Sequence, residues 1–267
     1  MLHPASRGYF AWELLLVVVI YDGVVSVVVV LAALCACSTG TDASTPTGSP
    51  EASATPDAAQ PTEAPSRDET VDFVVVGAGA GGVSTAIEAA RQGKNVVLLE
   101  KLGFAGGSSA LNEGYLWACG SKFNELTGKG YSVDQMKAYL VQSSRGNANE
   151  ALNNNLVDMS GEIFDYLYDN GVPFHTDAFT GSGGDAQDLD VFTTEGGGAG
   201  LFNGMLSIAE GLGVTPRYES KAVSLIVEDG AVKGVTVEDA EGTYNIYANT
   251  TVLATGGFLK DETLMKE

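Results

Sequence analysis

The stretch that decides the fold is Val71-Asp72-Phe73-Val74-Val75-Val76-Gly77-Ala78-Gly79-Ala80-Gly81-Gly82. Its first half is a short apolar run rich in β-branched residues, as a buried parallel strand requires. Its second half is a glycine turn. Residues 83–93 then read as a helix closed by Gly93. A second apolar run, Val96-Val97-Leu98-Leu99, stops at Glu100, followed by Lys101. Strand, glycine turn, helix, strand and acid in this order form a dinucleotide-binding unit. Gly77 permits the tight turn, Gly79 lets backbone approach a pyrophosphate, and Gly82 permits close packing of helix on strand. The helix N-terminus offers N–H groups and a positive dipole end to phosphates. Glu100 is placed to accept hydrogen bonds from a ribose and disfavours a 2′-phosphate, which points to FAD or NAD rather than NADP.

A second glycine-rich stretch follows at once: Gly106-Gly107-Ser108-Ser109-Ala110-Leu111-Asn112-Glu113-Gly114. A nicotinamide-binding unit has no need of it here, whereas a flavin dinucleotide needs a loop around its pyrophosphate and ribityl chain. Farther on, residues 214–255 read as a β run. Strands over 218–228, 231–238 and 244–254 are separated by Asp229-Gly230 and Glu241-Gly242, which are hairpin signals. The last strand delivers Ala254-Thr255-Gly256-Gly257, a third glycine turn. Helical spacing marks 133–145 and 149–170, and a helix over 201–212 follows the glycine run 196–200. The expected fold class is α/β: a Rossmann-like domain with a parallel sheet and an inserted antiparallel β-meander, incomplete within this chain.

Four motifs in order, V-V-V-G-A-G-A-G-G, V-V-L-L-E-K, G-G-S-S-A-L-N-E-G and V-L-A-T-G-G-F, resemble the FAD-binding domain of the fumarate reductase/succinate dehydrogenase flavoprotein family. The likeness is to its soluble and exported branch, which includes fumarate and urocanate reductases and 3-ketosteroid dehydrogenases, and it covers 71–267. The resemblance implies that Gly79, Gly81 and Gly82 meet the pyrophosphate and that Glu100, with Lys101 beside it, meets the adenosine ribose. It implies that Gly106, Gly107, Ser108 and Ser109 meet the phosphates and that Gly114 lies against the flavin. It also implies that the backbone at Ala222-Val223 approaches the adenine, and that Ala254, Thr255, Gly256 and Gly257 turn against the FAD. Membrane-bound relatives attach FAD through a His in the second loop; here Ser108-Ser109-Ala110 stands instead, so non-covalent FAD is expected.

The family reaction is hydride transfer from reduced flavin to an activated C=C bond, with Arg and His residues supplying the proton and binding the carboxylate. In the family those residues lie beyond the last motif, in a capping domain and a C-terminal return to the flavin domain. After Gly82 the arginines are Arg91, Arg145 and Arg217, and none matches that pattern, so no catalytic residue is assigned. Three readings stay open: the FAD-binding, N-terminal portion of a reductase, a short flavin-binding electron carrier without substrate chemistry, and a degenerate chain that binds nothing. The resemblance implies an unsaturated acid or related small molecule as substrate, with an electron-donor protein or quinol-linked chain as partner.

The rest of the chain supports an exported protein. Residues 10–34 are almost wholly apolar, with Glu13 and Asp22 as the only charges. They end at Leu34-Cys35-Ala36-Cys37, which resembles a lipobox with Cys37 as the lipidated residue. A plain signal peptide or a transmembrane anchor are the alternatives for 1–37. Residues 38–70 hold five of the 8 prolines and no large apolar side chain. Such a segment cannot offset its ordering entropy and reads as a disordered Pro/Ser/Thr linker. The expected location is the outer face of a bacterial cell membrane. The net charge of −20 argues against nucleic acid. Three cysteines exclude a disulfide scaffold, and two histidines, His3 and His175, leave no basis for a metal centre.

Overall fold

In the computed structural model the described residues are 66–177, 191–257, 262, 265 and 266, together with the backbone alone of 12–21, 24–33, 179–183, 186–190 and 264. The expected linker up to residue 65 lies outside them, and so do Arg7, Cys37 and Phe258. Strands β1 (Trp12–Tyr21) and β2 (Val24–Ala33) pair antiparallel. This is the apolar stretch read above as an export signal or anchor. Its density of valine suits extended backbone. Among the described residues no helix is long and apolar enough to cross a membrane.

The folded unit then runs β3 (Glu69–Val76), α1 (Ala80–Arg91), β4 (Val96–Leu99), α2 (Lys122–Thr127), α3 (Val133–Ser143), α4 (Glu150–Asp169), β5 (Phe179–Gly183), β6 (Ala186–Val191), α5 (Gly197–Gly211), β7 (Lys221–Glu228), β8 (Ala231–Asp239) and β9 (Gly242–Leu253). The expected β3–turn–α1–β4 unit is present. β3 starts two residues earlier than expected, where Glu69 pairs with Arg217. α1 starts at Ala80 rather than 83, because the last glycines of the turn already belong to its first turn. α5 likewise starts at Gly197 rather than 201. The short helix α2 was not legible from apolar spacing; its capping box, in which Ser121 accepts from Asn124 N–H, marks its start.

The sheet order is β2-β1-β9-β3-β4, with β8 also on β9 and β7 on β8. β3 lies parallel to both β4 and β9. The two expected hairpins, β7–β8 and β8–β9, form the meander. The meander does not precede the last parallel strand; it shares it. β9 pairs with β8 over residues 242–247 and with β3 over 246–253, and its outer edge over 250–253 lies against β1. One strand with different neighbours along its length turns the meander back over one face of the parallel sheet.

The core follows from this arrangement. Val75, Leu98 and Val252 face α1 and α5, where they meet Val83, Ala86, Ile87, Phe202 and Ala209. Val71, Val74, Val76, Val97 and Leu99 face the meander, where they meet Val235, Val237, Tyr244 and Ile246. β3 is therefore buried on both sides, which accounts for a run of valine in place of alternation. The remaining helices pack around Phe123, Phe164, Phe174 and Phe192. Phe164 stacks on Phe174 at 4.0 Å between ring centres, and Phe123 meets Phe192 edge-on at 5.0 Å. Phe164 is wholly buried, so Phe164→Ala is expected to cost about 3–5 kcal/mol, read as a lowered urea midpoint at unchanged m-value. Cys119 is buried as well and burial pushes its thiol pKa up, in keeping with the role of a small apolar side chain.

The start of the domain is pinned to the meander. Arg67 donates to both carboxylate oxygens of Asp239, at 2.9 and 3.0 Å, and to Gly242 O at 2.9 Å, with its guanidinium over the Tyr244 ring. The Arg67 guanidinium holds the Asp239 carboxyl below the ordinary carboxylate range. A depressed native pKa means that this clamp is intact at neutral pH and is lost as pH falls through the native value. Arg67→Ala is expected to speed proteolytic nicking around residues 60–68 at pH 7 and to make little difference in strong acid. Equal nicking of both forms at pH 7 would contradict the clamp.

Candidate functional site

Three glycine turns, far apart in sequence, meet at the ends of β3, β4 and β9. The chain leaves β3 at Gly77, whose N–H donates to Leu99 O at 2.8 Å, while Ala254 N–H donates to Val76 O at 2.8 Å. Gly77 has φ +101°, and a Cβ there would lie 2.5 Å from Ala254 O. A Cβ on Gly82 would lie 1.8 Å from Gly77 O. The first turn is thus locked onto the third by contacts that exclude any side chain.

The second loop closes over the same place. Gly106 N–H donates to Ala78 O at 2.9 Å, and Ala80 N–H donates to Ser109 Oγ at 3.1 Å. Gly107 to Ala110 form one 3-10 turn, which apolar spacing does not announce. The direction a Gly79 side chain would take is open as far as Ser109 Oγ at 3.7 Å and Gly106 O at 3.9 Å. Gly107, Gly256 and Gly257 have nothing within 4 Å in that direction. None of these four glycines is crowded as Gly77 and Gly82 are. α1 begins there with glycine at its cap and no acid in its first turn; Ser109 Oγ takes its first N–H, and the positive end of its dipole is left to a ligand anion.

Glu100 is buried, at 9% exposure. Its Oε2 accepts from Ala78 N–H at 3.0 Å and its Oε1 from Leu102 N–H at 2.9 Å. Each oxygen keeps a lone pair for a ribose hydroxyl. The segment 217–220 braces it from the far side: Glu100 N–H donates to Arg217 O and Ser220 N–H to Glu100 O, both at 2.9 Å, and Glu219 N–H donates to Leu102 O at 3.0 Å. Lys101, Ser108, Thr255 and Val223 are exposed, and Val223 sits at an irregularity in the β7–β8 register.

Two placements add to the sequence reading. Gly114 has φ +71°, and a Cβ there would lie 2.6 Å from Gly197 C. Packing inside the protein therefore accounts for this glycine. The other addition is Asn112, which donates from Nδ2 to Ser109 O at 2.8 Å and accepts at Oδ1 from Gly114 N–H at 2.6 Å. It lies within the G-G-S-S-A-L-N-E-G motif, but the sequence reading gives it no role of its own. Among the described residues no cluster of His, Cys, Asp and Glu could hold a metal ion.

Residues 72–267 match the family of the FAD binding domain. The chain belongs to that family. The cradle of this FAD domain suits its cofactor: room beside the backbone of Gly79, Gly107, Gly256 and Gly257, a helix start with no acid in its first turn, a hydroxyl at Ser109 and an acid at Glu100. The FAD domain is 31% identical over 207 residues to the acrylate reductase flavoprotein subunit of Shewanella woodyi, covering 73% of this chain and 40% of that protein. It is 32% identical over 192 residues to the urocanate reductase of Eggerthella lenta, covering 70% of this chain and 32% of that protein. The open conformation of a flavocytochrome c3 fumarate reductase superposes with a TM-score of 0.64 at 30% identity, over 71% of this chain and 34% of that one. The 3-ketosteroid-Δ4-(5α)-dehydrogenase of Rhodococcus jostii superposes with a TM-score of 0.68 at 27% identity, over 77% of this chain and 49% of that one. The chain thus spans less than half the length of these relatives. The expected family, fold class and FAD cofactor all hold.

Proposed function

We propose that this chain is the FAD-binding part of an exported flavin-dependent reductase that delivers a hydride to an activated C=C bond of a fumarate-like or related small molecule. The observation that carries the reading is the meeting of three glycine turns beside Ser109, Glu100 and the start of α1, in a chain whose relatives are named as reductases of acrylate and urocanate. Bound FAD supplies the two-electron hydride chemistry. The chain's own residues do the holding. The first turn of α1 and Ser109 offer donors to the diphosphate, Glu100 accepts from the ribose, and the backbone at 222–223 borders the adenine. FAD is held without a covalent bond, because Ser108-Ser109-Ala110 presents no His. Electrons arrive from a donor protein or quinol-linked chain. The segment 1–37 directs the chain to the outer face of the cell membrane, where Cys37 anchors it by lipid or the apolar run does so itself.

On its own the 267-residue chain is expected to bind flavin without turnover. Arg67, Arg91 and Arg217 each pair with carboxylates of the scaffold.

The test is to purify the full chain, record its visible spectrum, release the flavin with acid, and offer reduced methyl viologen with acrylate, fumarate or urocanate. A yellow protein that releases FAD and leaves the viologen unoxidised by the acids is the expected result. Flavin that stays on the protein through acid and SDS would overturn non-covalent binding. Brisk viologen oxidation dependent on one of the acids would show a complete active site. A colourless protein that takes up no added FAD would leave only the degenerate reading.

A further inference from the structure

We propose that Asn112 is a positioning residue of the FAD site, which sets the phosphate-facing Ser109 by tying the second glycine loop to the glycine-rich start of α5. The inference rests on the FAD reading above. Asn112 gives three polar atoms to this seam. Nδ2 donates to Ser109 O at 2.8 Å and Oδ1 accepts from Gly114 N–H at 2.6 Å. Its main-chain oxygen accepts from Gly198 N–H at 3.0 Å. The side chain therefore closes a turn between residues 109 and 114 that needs a donor and an acceptor on one short planar group. Aspartate has no donor there and alanine has neither.

The far side of the seam is built to admit this group and nothing larger. A Cβ on Gly198 would lie 2.3 Å from Asn112 O and 2.6 Å from Asn112 Oδ1, and one on Gly114 would meet Gly197 C at 2.6 Å. The glycines of 196–200, which the dinucleotide motif leaves without a role, are accounted for in part by this close passage of two backbones. Thr194 secures the approach, with its hydroxyl donating to Gly197 O at 2.7 Å.

What the seam controls is Ser109. The Ser109 carbonyl is held by Asn112, and its Oγ accepts from Ala80 N–H at 3.1 Å, the first residue of α1. With Oγ occupied as an acceptor, the hydroxyl proton is left for a diphosphate oxygen. A hydroxyl held in one place donates at once; a loose one must first be ordered at an entropic cost.

The experiment uses the full chain and titrates FAD by the quenching of flavin fluorescence, with melting of the apoprotein followed by circular dichroism. Asn112→Ala is expected to weaken FAD binding roughly tenfold, the effect of losing the one hydrogen bond that a well-placed Ser109 hydroxyl gives the diphosphate. Asn112→Asp keeps the acceptor for Gly114 N–H, and so the turn, but loses the donor to Ser109 O and places a negative charge by the diphosphate. It is expected to weaken binding by at least as much while melting no lower than Asn112→Ala. Adding Ser109→Ala to Asn112→Ala should weaken binding no further than Ser109→Ala alone, because Asn112 acts through Ser109. Additive losses, or wild-type affinity in Asn112→Asp, would overturn the inference alone. A wild-type chain that takes up no FAD would overturn the reading beneath it.

Discussion

Replacing Gly82 with alanine is expected to destroy the FAD site and to cost the fold about 3 kcal/mol or more, at the upper end of overpacking penalties. One methyl group is added to the first turn of α1, where alanine would ordinarily strengthen the helix. The obstacle is on the other side of that methyl. Its carbon would sit 1.8 Å from Gly77 O, with Ala254 Cβ at 3.5 Å behind. Backbone cannot yield as a flexible side chain does, so either α1 lifts off β3 or the turn at Gly77 opens. Either movement separates the first glycine turn from the third. Denaturant unfolding should show a lower midpoint, and added FAD should restore little of it, because the ligand no longer finds its site. Melting of Gly82→Ala at the wild-type temperature, with wild-type FAD affinity, would mean that α1 does not pack on β3 as described. Gly79→Ala is the matched control: its Cβ would meet Ser109 Oγ and Gly106 O only at ordinary contact distances of 3.7 and 3.9 Å, so it should spare the fold and weaken FAD binding.

Removing the Glu100 carboxylate is the second large effect. Glu100→Ala leaves the N–H groups of Ala78 and Leu102 without their acceptor. A buried donor left unpaired costs about 1–3 kcal/mol, and partial access of water to this edge softens the sum, so a loss of roughly 2–4 kcal/mol is expected. The same change removes the acceptor offered to the ribose. FAD affinity should therefore fall by more than the stability loss explains, which a titration at a temperature where both forms are folded will separate. Glu100→Gln keeps one carbonyl acceptor and should lie between the two. Equal FAD affinity in wild type and Glu100→Ala would remove Glu100 from the cofactor site.

The parts of this design that were legible in the sequence are those whose physics is local. Val71 to Gly82 announces a buried strand and a glycine turn because both demands fall on adjacent residues, and Asp229-Gly230 announces its hairpin for the same reason. The start of α5 was not legible. Gly196 to Gly200 reads as loop by propensity, yet tertiary contact with Asn112 fixes those glycines as a helix start. The pairing of Ser109 Oγ with Ala80 N–H joins positions 29 residues apart, and the brace of Glu100 by 217–220 joins positions still farther apart. Such contacts arise from packing, which no short window of sequence contains. Gly114 shows a second kind of demand: the close backbone of Gly197 and Gly198 already requires a glycine there, whatever the flavin adds.

The pairing of β3 with β9 carries a cost in time. Partners such as Val75 and Val252 are 177 residues apart in the chain. At a synthesis rate of about 5–20 residues per second, β3 waits on the order of 10–35 s on the ribosome before its neighbour exists. Throughout that interval a strand whose last four residues are Phe73 and three valines has β4 on one edge and nothing on the other. Nascent chains of this protein should therefore engage a holding chaperone until residue 253 has emerged, and production in cells should respond more to chaperone supply than its finished stability would suggest.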